Sequence, residues 1–124
     1  MSLINVTNIT VKKYRVVCIV EVQGPKFSTP ELKDKLLKKL PNLALHKCKN
    51  SQGKDFVEVM DSTSVPHLFE HMVIDIQSKD SDQTLFGTSE WLDKDKGIAK
   101  VELSYVDDVK CLDAIKTATE MLNS

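Results

Sequence analysis

Tyr14-Arg15-Val16-Val17-Cys18-Ile19-Val20-Glu21-Val22 is the stretch on which the fold turns. Nearly every position is β-branched or apolar, and such a run suits a central strand covered on both faces. It is too short to cross a bilayer and carries Glu21, so no membrane span is read from it. Leu3 to Thr10, just before it, is a more polar strand and the candidate hairpin partner. Ser28-Thr29-Pro30 then offers a hydroxyl cap followed by a proline in the first helical turn. Leu32, Leu36, Leu37 and Leu40 recur at helical spacing up to Pro41. Lys33, Lys35, Lys38 and Lys39 fall mostly on the opposite, solvated side.

Further along, Asn50-Ser51-Gln52-Gly53 reads as a turn and Phe56-Val57-Glu58-Val59 as a short strand. Asp61-Ser62-Thr63-Ser64 supplies N-cap candidates for a helix from about Val65 to Lys79, ended by the polar run Ser78 to Gln83. Phe86 to Trp91 is a loop or a short strand. Lys100 to Tyr105 alternates, with Val101, Leu103 and Tyr105 on one face, which predicts a half-buried strand. A last helix from about Asp108 to Leu122 turns Leu112, Ile115, Ala118 and Leu122 inward. Strands and helices are interspersed with hairpin-like pairs. The fold class is therefore α+β, with a small, mostly antiparallel sheet packed against about three helices.

Composition bounds the function. The length of 124 residues allows one domain, 1–124, and 41% apolar with 28% charged residues excludes disorder and low complexity. A net charge of −1 gives no electrostatic ground for a nucleic-acid or membrane partner. The Lys33–Lys39 and Lys47/Lys49 clusters do not reverse that: Arg15 is the one arginine, and Phe56, Phe69, Phe86 and Trp91 are scattered. Cys18, Cys48 and Cys111 are odd in number and widely spaced, which is no disulfide framework. With no signal-peptide pattern at the start, the expected location is cytoplasmic. Cys18 and Cys111 read as small buried apolar side chains.

The chemistry is concentrated in His67-Leu68-Phe69-Glu70-His71. On a helix, positions four apart stack, so both imidazoles face one point, and Glu70 borders the same face. At about 100° per residue, His67, Glu70, His71 and Ile74 cluster on one side. Val65, Leu68, Phe69, Met72, Val73 and Ile76 cluster on the other and dock the helix. The pattern is H-x-x-E-H, an inverted zincin motif. The third histidine, His46, lies two residues before Cys48. Cys48, His67 and His71 with an open fourth position make a candidate catalytic zinc site. His46 is the alternative ligand, or the fourth ligand of a closed structural site. Glu58, Asp61 and Asp75 are candidates to orient a histidine from behind.

From Leu40 onward the sequence resembles the amino-terminal domain of cyanophycin synthetase. The likeness runs through Leu40-Pro-Asn-Leu-Ala-Leu-His46-Lys-Cys48 and through Ser64-Val-Pro-His67-Leu-Phe-Glu70-His71 with its apolar run to Gln77. It continues in Phe86-Gly87-Thr88 and Val101-Glu-Leu-Ser-Tyr105-Val-Asp107. The resemblance implies an α+β domain carrying a zinc-dependent hydrolytic site that cuts an Asp/Arg polymer. It implies Cys48, His67 and His71 as zinc ligands and Glu70 as general base on water. The sequence departs from the family pattern at Phe86-Gly87-Thr88-Ser89-Glu90, where the arginines that follow Phe-Gly are missing. Pitrilysin-type peptidases share the motif but need a carboxylate ligand from a far longer segment than follows His71.

The expected function is thus a zinc-dependent amide or peptide hydrolase, with a peptide or isopeptide as substrate. The alternative is a non-catalytic binding or regulatory module, such as a polymer-binding or antitoxin-like protein partner. A homo-oligomer is compatible with either.

Overall fold

The computed structural model describes residues 2–46, 55–79 and 84–124. β1 (Ile4–Lys12) and β2 (Arg15–Val22) form the expected hairpin, with Tyr14 at φ 77° in its turn. A side chain in that left-handed region carries strain, and Tyr105 ties the turn down. The Tyr14 N–H donates to the Tyr105 hydroxyl at 3.3 Å, and that hydroxyl donates to the Lys12 carbonyl at 2.6 Å. β3 (Gly87–Asp93) and β4 (Ile98–Ser104) form a second hairpin, turned at Gly97 with φ 73°. The four strands run in the order β1-β2-β4-β3, antiparallel throughout. Phe86 to Trp91, which left loop and strand open, is strand from Gly87 onward.

β2 is central, but it is covered on one face only. Val16, Cys18, Val20 and Val22 are buried, while Val17, Ile19 and Glu21 are half-buried on the other side. On that outer face Val17 lies between Thr10 and Glu102, and Ile19 between Asn8 and Lys100. These cross-strand neighbours, rather than a helix, shield Val17 and Ile19 on the pleat. The expectation of two covered faces is corrected accordingly.

The helices lie under the inner face. α1 (Pro30–Lys39) starts as its sequence predicts, the Thr29 hydroxyl accepting from the Leu32 N–H, and Leu36 and Leu40 are fully buried. A 3-10 turn, Pro41–Leu45, follows and buries Leu43. Phe56–Val59 is not a strand but a single helical turn, α2. The reason is local: Asp55 and Glu58 form a reciprocal capping box, which outweighs the β-branched bias of Val57 and Val59. α3 (Val65–Ser78) is capped by Ser64, whose hydroxyl accepts from the His67 N–H. α4 (Asp108–Asn123) is capped by Asp107 and buries Cys111, Ala114, Ile115, Ala118 and Leu122; Leu112 is only half-buried. With the short α2 counted, there are four α-helices among the described residues.

α3 packs on β3 and β4, and α4 lies beside it and reaches β1. The Asn123 side chain closes the layer by accepting from the Leu3 and Ile4 N–H groups and donating to the Ile4 carbonyl. One contiguous core unites sheet and helices, from Ile4 to Leu122. Each fully buried Leu, Val or Phe in it contributes about 1.5–3 kcal/mol of transfer free energy. Among the described residues no helix is long and apolar enough to cross a membrane.

Candidate metal centre

α3 begins where three chain segments meet. The Ser28 N–H donates to the Thr63 carbonyl, the Thr63 N–H to Val59, and the Val65 N–H to Lys26. Pro66 in the first turn and the Ser64 cap then set the helix register. His67, Glu70, His71 and Ile74 emerge on one side of it and line a cleft of about 930 Å³. Its opposite wall is the segment Thr84–Ser89, the entry to β3. The helical-face prediction placed these four residues correctly. The polar side is nevertheless not simply solvent-facing, since Glu70 and His71 are 6% and 5% exposed.

One ligand atom from each of His67, Glu70 and His71 lies within 4.8 Å of the others, a group able to hold a metal ion. The two imidazoles face each other through Nε2, 3.1 Å apart. Two nitrogens on one tetrahedral Zn²⁺ would be about 3.3 Å apart, given bonds of about 2.0–2.1 Å. The pair is therefore close to the bite of a shared ion, and the residues fit such a group. Glu70 Oε2 is 3.9 Å from His71 Nε2, beside the pair. Cys48, the third ligand expected from sequence, lies outside the described residues, as do the Asn50–Gly53 turn and the polar run 80–83.

His46 is brought to the same place from the end of the 3-10 turn. Its Nδ1 is 3.0 Å from His71 Nδ1, and its Nε2 is 3.1 Å from Asp75 Oδ1. Both ring nitrogens thus meet protein groups behind His71. Of the three carboxylates weighed as histidine partners, Asp75 is the one in contact; it is 4% exposed, and its Oδ2 has no hydrogen-bond partner.

Electrostatics follow burial. Burial, then the neighbouring His67 and His46, push His71 down to about 3, so its ring is neutral and its nitrogen lone pair free to ligate. His67 is lowered by burial as well. Burial raises Glu70 to about 7, and a hydrogen bond from Ser89 works against that rise.

Several contributors escaped the sequence reading. Thr63 Oγ1 sits 2.8 Å from His67 Nδ1 and Phe56 stacks on His71, centroids 3.8 Å apart at 12°. On β3, Gly87 and Ser89 point to the inner face beside Glu70. A Cβ at Gly87 would lie 2.7 Å from the Glu102 carbonyl and 3.0 Å from Glu70 Cγ, so only glycine fits between that backbone oxygen and the carboxylate's stem. The alternation of β3 was the one available signal for Ser89, and it is visible only once Phe86–Trp91 is taken as strand.

A model of the Cyanophycin synthase-like N-terminal domain family matches residues 16–124. The chain belongs to that family. The match takes in β2 and α1 as well as the motif helix, so the family likeness starts well before Leu40. The expected α+β architecture of the family domain is the one observed. Comparison with curated proteins finds no match.

Proposed function

We propose that this domain is a zinc-dependent hydrolase of amide bonds, acting on a small peptide or isopeptide of the Asp/Arg type or another. The observation that carries the reading is the convergence of His67, Glu70 and His71 along one wall of an open cleft. His67 and His71 would hold the ion, with Cys48 as third ligand on the strength of the family resemblance. When bound, Zn²⁺ supplies Lewis acidity toward a carbonyl and brings the acidity of water near neutrality. Glu70 takes the proton from the attacking water and returns it to the leaving amine. A carboxyl held near 7 by burial suits both halves of that exchange, because neither protonation state is far from populated at working pH. The Ser89 hydroxyl and the space at Gly87 support the Glu70 side chain beside the histidine pair, where it would face a bound ion. Cys18 and Cys111, both buried and unpaired, agree with a reducing, cytoplasmic setting.

A second reading draws on the cleft wall. Among the described residues lining the cleft there is no lysine or arginine. The carboxylates of an Asp/Arg polymer would find no cation among those residues, which favours a non-catalytic binding or antitoxin-like module. Metal analysis and turnover separate the two. The hydrolase reading expects near-stoichiometric zinc in both parent and Glu70→Gln, with hydrolysis of an Asp/Arg peptide lowered about 10²–10⁴-fold in the variant. A parent without zinc, or equal turnover by both proteins, overturns it. Zinc without turnover of any peptide by the parent favours the second reading.

A further inference from the structure

Behind the candidate ligands lies a buried carboxylate with an unusual partner. Asp75 meets an imidazole rather than a lysine or arginine: its Oδ1 is 3.1 Å from His46 Nε2, at 4% exposure for the aspartate. Desolvating a carboxylate is costly unless it is paired and hydrogen-bonded, and Oδ2 without a partner adds to that cost. His46 passes the contact on, its Nδ1 lying 3.0 Å from His71 Nδ1. His71 in turn reaches His67 through Nε2, and His67 ends on Thr63 through Nδ1. Asp75, His46, His71, His67 and Thr63 therefore form one continuous line of polar atoms.

We infer that Asp75 and His46 are positioning residues that set the tautomer of His71, leaving its Nε2 lone pair aimed at the ion. The inference deepens the zinc reading and rests on it for its purpose, though not for its geometry. A carboxylate can only accept, so the proton between Asp75 and His46 belongs to His46 Nε2. A neutral imidazole carries one N–H, so His46 Nδ1 is then an acceptor. The facing His71 Nδ1 must donate, and His71 Nε2 is left without a proton. One choice at Asp75 thus decides which nitrogen of His71 can ligate, while the stacked Phe56 ring holds the plane. Such outer partners typically govern metal affinity.

The test uses the full chain. In the metal-free parent at neutral pH, long-range ¹H–¹⁵N spectra should show His71 as the Nδ1–H tautomer. Asp75→Asn and His46→Gln should each shift His71 toward Nε2–H and weaken Zn²⁺ binding roughly 10–100-fold in a chelator competition. The double variant should be no worse than the weaker single one. A purely structural Asp75 would lower the metal-free melting temperature instead; here Asp75→Asn should leave it unchanged or raised, since a buried charge is removed. His71 found as Nε2–H in the parent, or both variants binding Zn²⁺ within about twofold of it, overturns the inference. Should Asp75→Asn fail to fold, His46→Gln carries the same readouts. The tautomer measurement needs no metal, so with a parent that binds no zinc the proposed function falls while the tautomer of His71 still decides this inference.

Discussion

α3 and α4 lie side by side under the same sheet, yet they bury opposite chemistry. α4 conceals Cys111, Ala114, Ile115, Ala118 and Leu122, all apolar. α3 conceals Leu68, Phe69, Met72 and Val73 as well, but also Glu70, His71, Asp75 and Gln77. Apart from the exposed Val109 in its first turn, α4 obeys the ordinary partition of apolar in, polar out. On α3 that partition fails on the side turned to the cleft, where ionisable groups sit dry and each needs a specific neighbour. One helix holds the domain together, and its neighbour spends stability on a polar constellation. The difference is what marks α3 as carrying the candidate site.

Substitutions can break that contrast. The largest effect is the Glu70→Gln loss of turnover described above, which should leave the fold intact. Its counterpart is Ile115→Ala on α4, expected to cost about 2–5 kcal/mol in denaturant unfolding while leaving zinc content unaffected. Zinc lost in Ile115→Ala at a temperature where it remains folded would show that the helices are not separable.

Next in size is the pH dependence of the metal-free domain. His71 has a native pKa of about 3, below its ordinary 6.5, so the unfolded chain gains a proton first and stability falls as pH drops from 6.5 toward 3. Glu70 runs the other way: with a native pKa of about 7 above an ordinary 4.5, stability falls as pH rises from 4.5 through 7. Each effect is on the order of a few kcal/mol. His71→Gln should therefore gain on the parent at pH 4 but not at pH 8, and Glu70→Gln the reverse. Urea unfolding at the two pH values checks both signs. On α4, burial pushes Cys111 up to about 11, outside this window, so α4 contributes no such slope from its thiol.

The smallest effect compares the caps. Asp107→Ala and Ser64→Ala each remove a side chain that accepts from the first helical turn, at a cost of about 1 kcal/mol. Only Ser64→Ala should also alter zinc affinity, because Ser64 holds the His67 backbone and lines the cleft. Equal zinc affinity in both would place the metal group beyond the influence of its own helix start.

Much of this is legible in the sequence alone. The hairpin through Tyr14, the Thr29-Pro30 and Ser64 helix starts, the alternation of Val101 and Leu103, and the His67/Glu70/His71 face all follow from local periodicity and capping. What was missed needed tertiary information or a weak local competition. Phe56–Val59 has strand propensity, and one capping box reversed it. β2 looked doubly covered because cross-strand shielding between Val17, Ile19 and their neighbours uses the same residues as burial beneath a helix. Asp75 was one of three equal candidates until the fold selected it. Nothing in the order of residues announces that Thr63 and Gly87 reach the histidines and the glutamate, and Ser89 shows only through the alternation of β3.

Gly87 bears a consequence of its own. The space it leaves is narrower than one methyl group, hemmed by the Glu102 carbonyl on one side and the Glu70 stem on the other. A methyl there would press on the β3–β4 seam and on the base while touching neither histidine. If the proposed hydrolase reading holds, one alanine at a position no ligand motif includes would disturb the base through the sheet seam and leave the two histidines untouched.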